Sequence, residues 1–149
     1  MRAVVQRVSK GSVKIKRLDY FAEIRKGFVI LLGISHTDTL TEVEYIADKC
    51  SHLRIFEDGN EKMNLSLKEV EGEILIISQF TLYAETSRGK RPSFIEAARP
   101  EIAIPLYDAF IERLKKNIGT EKVKTGVFGE MMEVEIHNDG PVTIIVESK

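Results

Sequence analysis

The chain has 149 residues, enough for one domain that buries on the order of 70% of its unfolded surface. With 43% hydrophobic and 30% charged residues it is neither a disordered tail nor a fibrous repeat. A formal net charge of −1 excludes wholesale binding of nucleic-acid backbone, but not a local phosphate contact.

The N-terminal segment, rich in valine from Met1 to Ser9, predicts a strand. After Gly11, the alternation Ser12-Val13-Lys14-Ile15-Lys16 predicts its half-buried hairpin partner. Neither a long apolar leader nor a small-residue cleavage site is present, so no signal peptide is expected. A short strand is expected over Phe21 to Arg25. Gly27 leads into Phe28 to Ile34, apolar on both faces and therefore central in its sheet. That run is far shorter than the ~18 residues a membrane span needs.

Thr39-Leu40-Thr41-Glu42 has the form of a capping box. Behind it Leu40, Val43, Ala47, Cys50 and Leu53, with Ile46 beside them, mark one face of a helix ending near His52. Cys50, the single cysteine, lies on this face as a small core residue. It cannot form an intrachain disulfide, which favours a reducing cytoplasm. Arg54 to Phe56 predicts a short strand before the turn Asp58-Gly59-Asn60. A long strand is expected from Glu73 to Tyr83, then a basic loop, Arg88-Gly89-Lys90-Arg91, whose plain reading is a solvated surface. Pro92-Ser93 starts a predicted short helix through Ala98. Pro100 opens a second long helix whose buried face carries Ala103, Leu106, Tyr107, Phe110, Leu114 and Ile118, with Gly119 at its end. Val123 to Gly126, Met132 to His137 and Val142 to Val146 read as strands, the last two separated by a turn at Asn138-Asp139-Gly140. Two helices among many strands give an α+β class in one domain, residues 1–149.

Two stretches carry polar groups inside apolar surroundings. Ser78-Gln79-Phe80-Thr81 interrupts the strongest apolar strand, where a buried amide or hydroxyl must find a partner or cost roughly 1–3 kcal/mol. These groups either satisfy nearby backbone or face a cleft, where Gln79 orients a polar ligand and a strand-end N–H stabilises charge on an ester oxygen. Thr81 has no His or Lys beside it in sequence to act as base, which disfavours it as a nucleophile. Gly140-Pro141 is either an ordinary turn or a stiff polar wall built on a cis bond. The three histidines are scattered, so no metal site and no cofactor are expected.

Across nearly its whole length the chain resembles the D-aminoacyl-tRNA deacylase family. The resemblance rests on Ala3 to Val8, Arg54 to Asp58, Lys62-Met63-Asn64, Ser78 to Leu82, Gly89 to Phe94, Thr125 to Gly129 and Asn138 to Thr143, in that order. It implies a largely antiparallel or mixed, barrel-like sheet with two main helices. It implies a cytoplasmic homodimer acting on aminoacyl-tRNA, with neither DNA nor membrane as partner. The implied reaction is hydrolysis of the ester that joins a D-amino acid, or glycine mischarged on alanine tRNA, to the terminal adenosine. The resemblance makes Gln79, Phe80 and Thr81 catalytic, with the Phe80 N–H as oxyanion donor and Thr81 as pocket lining or nucleophile. Ser78 lines the pocket. Gly140 and Pro141, a Gly-cisPro pair supported by Arg7, reach into the partner subunit's site and reject L-amino acids. The tRNA 2′-hydroxyl assists, and the Arg88 to Arg91 loop meets acceptor-stem phosphates.

Overall fold

The computed structural model describes residues 1–148. In chain order the elements are β1 (Arg2–Ile15), β2 (Tyr20–Ile24), β3 (Gly27–Gly33), α1 (Leu40–His52), β4 (Phe56–Glu57), β5 (Met63–Leu65), β6 (Glu73–Ser78), α2 (Pro100–Ile118), β7 (Val123–Thr125) and β8 (Glu133–Glu147). The spine is β1. Its first half pairs antiparallel with β3, its second half with β2, and β8 runs antiparallel along its other edge. The parallel neighbours β6 and β7 extend the sheet beyond β3, and the Tyr20 hydroxyl donates to the Thr125 carbonyl at 2.7 Å, tying β2 back to β7. The result is a mixed, nearly closed, barrel-like sheet. β4 and β5 form a separate small hairpin.

Strand periodicity divides the core. Phe28, Ile30 and Leu32 of β3, with Ile74 and Ile76 of β6, face the two helices. The alternate residues Val29, Leu75 and Ile77 face the inside of the curl, against Val13, Ile15 and Ile24. Both faces of β3 are therefore covered, as its unbroken apolar run predicts; each such side chain contributes about 1.5–3 kcal/mol on burial. The capping box forms: the Thr39 hydroxyl accepts from the Thr41 N–H, and the Glu42 carboxylate accepts from the Thr39 N–H. Cys50 is fully buried, and burial pushes its thiol up to about 12. Leu40, expected on the buried helix face, is 61% exposed as the first residue of α1, whereas Val43, three residues on, is buried. The helices are joined by Asp48, which accepts from the Arg113 guanidinium at 2.6 and 2.8 Å and from Asn117 at 2.8 Å.

Four segment boundaries differ from the sequence reading. Gly11 does not break β1, because β8 pairs along almost all of it, so the predicted hairpin is one bent strand. Likewise β8 is one strand from Glu133 to Glu147, but its ladder with β1 jumps from Asn138 opposite Val8 to Thr143 opposite Gln6, so the expected turn survives as a loop-out of Asp139 to Val142 within the strand. No helix forms over Pro92 to Ala98; Ser93 instead bridges to Glu85, and Ala97 to Ser35. The long strand from Glu73 stops at Ser78. Among the described residues no helix is long and apolar enough to cross a membrane.

Candidate active site

The parallel strands β3, β6 and β7 end at a common edge. After Ser78 the Gln79 N–H makes one last ladder bond, to the Leu32 carbonyl at 2.8 Å, and there the pairing of β6 with β3 stops. The chain turns through a 3-10 turn, Phe80–Tyr83, across the end of β3. Gly33 makes the crossing possible: a Cβ there would lie 3.0 Å from the Leu82 Cβ and 3.2 Å from both the Gln79 carbonyl oxygen and the Tyr83 ring. Arg2 fastens the far end of the turn, donating to the Leu82 carbonyl at 2.6 Å.

Above this edge opens a cleft of about 370 Å³. Ser78, Gln79 and Phe80 line one side, Phe128 to Met132 the other, and Leu32, Ile34, Ala98 and Ala103 close its base and flank. The carboxyl ends of parallel strands are where sheets of this kind leave room for ligands. Behind the wall the Tyr107 hydroxyl donates to the Ile76 carbonyl at 3.1 Å, and its ring meets Phe128 edge-on. Burial holds that phenol well above its usual pKa, so it stays a neutral donor.

The polar groups of the floor are less buried than an uninterrupted strand would make them. Ser78 and Gln79 are half-buried, whereas Phe80 is 57% exposed and Thr81 is exposed. The Gln79 amide donates to the Thr81 hydroxyl. An amide N–H is no base, and no His, Lys or carboxylate bonds Thr81 among the described residues, so its hydroxyl is not activated. The Phe80 N–H opens the turn and has no protein acceptor among the described residues, as is usual for the first N–H of a helical turn.

The Gly140–Pro141 bond is cis. Gly140 has φ 124°, and a Cβ there would sit 2.9 Å from Val142 Cγ2 and 3.1 Å from an Arg7 nitrogen, so only glycine fits. Arg7 is 5% exposed and fully engaged. It donates to the Asp139 carbonyl at 3.1 Å and the Ile55 carbonyl at 2.7 Å, with the Asp139 carboxylate 3.5 Å away. The Asn138 amide adds bonds of 3.0 Å to the Arg7 and Val142 carbonyls. This turn does not meet the floor within one chain. Arg7 lies opposite Phe28 at the start of β3, whereas Leu32, beside Ser78, is four residues on, roughly 13 Å along the strand.

The sequence also matches the family model described as D-Tyr-tRNA(Tyr) deacylase over residues 4–147. The chain belongs to that family. A D-aminoacyl-tRNA deacylase of Cytophaga hutchinsonii is 54% identical and one of Flavobacterium psychrophilum 52% identical, each match spanning the whole of this chain and 98% of the relative. The solved structure of the c-Myc DNA unwinding element binding protein is 42% identical, covers 100% of this chain and 99% of that one, and superposes with a TM-score of 0.93.

Within this family's frame, the structure brings Ser78, Gln79 and Phe80 together at one cleft; Thr81, expected there too, does not line it and only accepts from the Gln79 amide, and Gly140 and Pro141 are not among the lining residues. The opposite wall, Phe128 to Met132, escaped sequence reasoning as lining. Its only signal was the motif Thr125 to Gly129, which carried no chemistry by residue type.

Proposed function

We propose that this protein hydrolyses the ester joining a D-amino acid to the terminal adenosine of tRNA, releasing the free amino acid and free tRNA. One observation carries the reading: at a cleft of substrate size the floor offers an unsatisfied backbone donor, the Phe80 N–H, and no nucleophile paired with a base. Such a site suits a substrate that brings its own reactive hydroxyl. In the proposed reaction the adenosine 2′-hydroxyl positions a water, whose oxygen bonds to the ester carbonyl carbon. Negative charge gathers on the carbonyl oxygen against the Phe80 N–H. The bond to the ribose 3′-oxygen then breaks, and that oxygen takes up the proton that the water gives up, passed on by the 2′-hydroxyl. Gln79 orients the ribose or carbonyl, Ser78 lines the pocket, and the Thr81 hydroxyl holds the Gln79 amide.

The proposal includes a homodimer in which Gly140 and Pro141 of one copy face the cleft of the other. It is supported by the distance between turn and floor within a single chain, and by the rigid seating of the turn on Arg7 and Asn138. Carbonyls held there reject an L side chain by clash and accept any D side chain pointing away. Glycine has no side chain to reject, so glycine on alanine tRNA is also a substrate.

The test compares D-tyrosyl-tRNA, L-tyrosyl-tRNA and D-tyrosyl-tRNA ending in 2′-deoxyadenosine. Fast loss of the first ester alone is expected. Equal loss of the D and L esters would remove the chiral wall, and full activity on the deoxy substrate would remove 2′-hydroxyl assistance. A second reading, binding of a DNA element, is favoured by the solved structure at 42% identity. Retention of duplex DNA with no hydrolysis of the D ester would establish it instead.

A further inference from the structure

The two sides of the cleft are built differently. The floor ends a sheet, but the opposite wall, residues 128–132, belongs to neither strand nor helix. It hangs between Gly126, whose N–H bonds the Ile76 carbonyl at 2.9 Å, and Glu133, where β8 begins to pair with Lys14. Between those points the one backbone hydrogen bond among the described residues is internal, from the Glu130 N–H to the Val127 carbonyl at 3.3 Å. The wall is also hollow behind. Glu130, Met131 and Met132 border the cleft on one side and, on the other, a second recess of about 530 Å³ shared with Lys14, Lys16 and Arg17. Packing therefore leaves this stretch undetermined. Met131 is 91% exposed, and Met132 is half-buried with its sulfur over Gly126, where no Cβ would fit.

Across the second recess reaches Arg17. It stands in the 3-10 turn Lys16–Leu18 that joins β1 to β2, a turn closed by Asp19, whose N–H bonds the Lys16 carbonyl at 3.3 Å. Its guanidinium grips the Glu130 carboxylate with two arms, Nε donating to Oε2 at 3.0 Å and Nη2 donating to Oε1. Two such bonds fix direction as well as distance, which a single ammonium contact does not. The Arg17 side chain is 70% exposed and that of Glu130 is 20% exposed, so solvent keeps the pair a minor contributor to folding stability. Its effect falls on the wall instead, because among the described residues no other ion pair joins residues 128–132 to the rest of the fold. The neighbouring pair, Lys16 with Glu133, is looser at 3.8 Å and acts on β8 beyond the wall.

We propose that Arg17 is a positioning residue: through Glu130 it latches the Met131–Met132 wall at the width that grips the ester opposite Gln79 and Phe80. This rests on the deacylase reading, and the experiment separates the two. The substrate is D-tyrosyl-adenosine, an ester without phosphates, so a contact of Arg17 with RNA backbone does not register. Arg17→Ala is expected to raise KM about three- to fivefold, because a wall freed from a surface pair is competent for a smaller share of the time. Saturating substrate restores the closed wall, so kcat stays within about twofold. Arg17→Lys, which keeps the charge but not the fork, falls between. Lys16→Ala, which breaks the looser pair, keeps the native KM. In a Glu130→Ala background Arg17→Ala adds nothing further. The wall itself is read by NMR of isotope-labelled methionine methyl groups, since two of the four methionines lie on it. Opening the latch moves the Met132 signal toward that of the exposed Met131. An unmoved Met132 signal in Arg17→Ala, an unchanged KM in a protein that hydrolyses the D ester, or an equal Arg17→Ala effect with and without Glu130 overturns the proposal. The NMR needs no turnover, so a displaced Met132 signal in a protein that hydrolyses no D ester would sink the deacylase reading and keep the latch.

Discussion

Replacing Phe80 by proline removes the proposed oxyanion donor and little else that alanine would not. The Phe80 N–H has no acceptor among the described residues, so no protein hydrogen bond is lost. Gln79 before it, at φ −143° and ψ 80°, is outside the α region that proline disfavours in its predecessor, though its ψ must open by about 40° to reach the pre-proline range, and the first position of a helical turn tolerates proline. The ring is lost as well, and alanine provides the control for that. With 57% of the residue exposed, less than half of a ring burying roughly 200 Å² is covered, worth about 2 kcal/mol at ~25 cal/mol per Å². Both variants are then expected to melt roughly 4–8 °C below the native protein. Their rates differ: removing one oxyanion donor costs about 10²–10³ in kcat, or ~2.7–4 kcal/mol. Single-turnover release of D-tyrosine from D-tyrosyl-tRNA reads the difference. Phe80→Pro is expected to be at least about a hundredfold slower than Phe80→Ala. Equal rates for the two would show that the carbonyl oxygen is stabilised elsewhere.

Gly33→Ala drives a Cβ against Leu82, the Gln79 carbonyl and Tyr83, so overpacking of about 1–3 kcal/mol and a shifted floor are expected. Calorimetry and kcat are expected to fall together, and an unchanged pair would mean that the turn is not seated on Gly33. Asn138→Ala strands the Arg7 and Val142 carbonyls, costing about 1–3 kcal/mol in urea denaturation and weakening D-over-L selectivity; an unmoved midpoint would contradict it. The Asp48 carboxyl is held down to about 2, chiefly by the Arg113 hydrogen bond. Because its folded pKa lies below the unfolded value of about 3.9, its stabilisation is present above that pH and fades as pH falls toward 2. The melting-temperature gap between native protein and Asp48→Asn is therefore widest near neutrality and narrows below about pH 4. The half-exposed setting keeps that gap small, and a gap that grows in acid would reverse the sign of the argument.

Much of the molecule was legible from residue pattern alone. The period of α1 and its capping box, Pro100 at the head of α2, and the two-sided apolar run of β3 all express local rules that neighbouring strands only reinforce. The same holds for Cys50 in the core. The motifs, in their order along the chain, led to the family, because a sequence retains kinship even where it hides geometry.

Tertiary structure decided where pairing begins and ends. Alternation cannot register that the ladder between β3 and β6 ends at Leu32 and Ser78, so Phe80 to Tyr83 reads as strand although it has no ladder to join. Gly11 looks like a break, yet β8 pairs through it, and on either side of the unpaired residues Asp139 to Val142 β1 keeps β8 in one strand. The exposure of Phe80, the free state of its N–H, the buried seat of Arg7 beneath Gly140 and the gap between that turn and the floor depend on contacts far apart in sequence. Residue types named the groups that matter here; only the pairing of β3 with β1 and β6 set how far apart they stand.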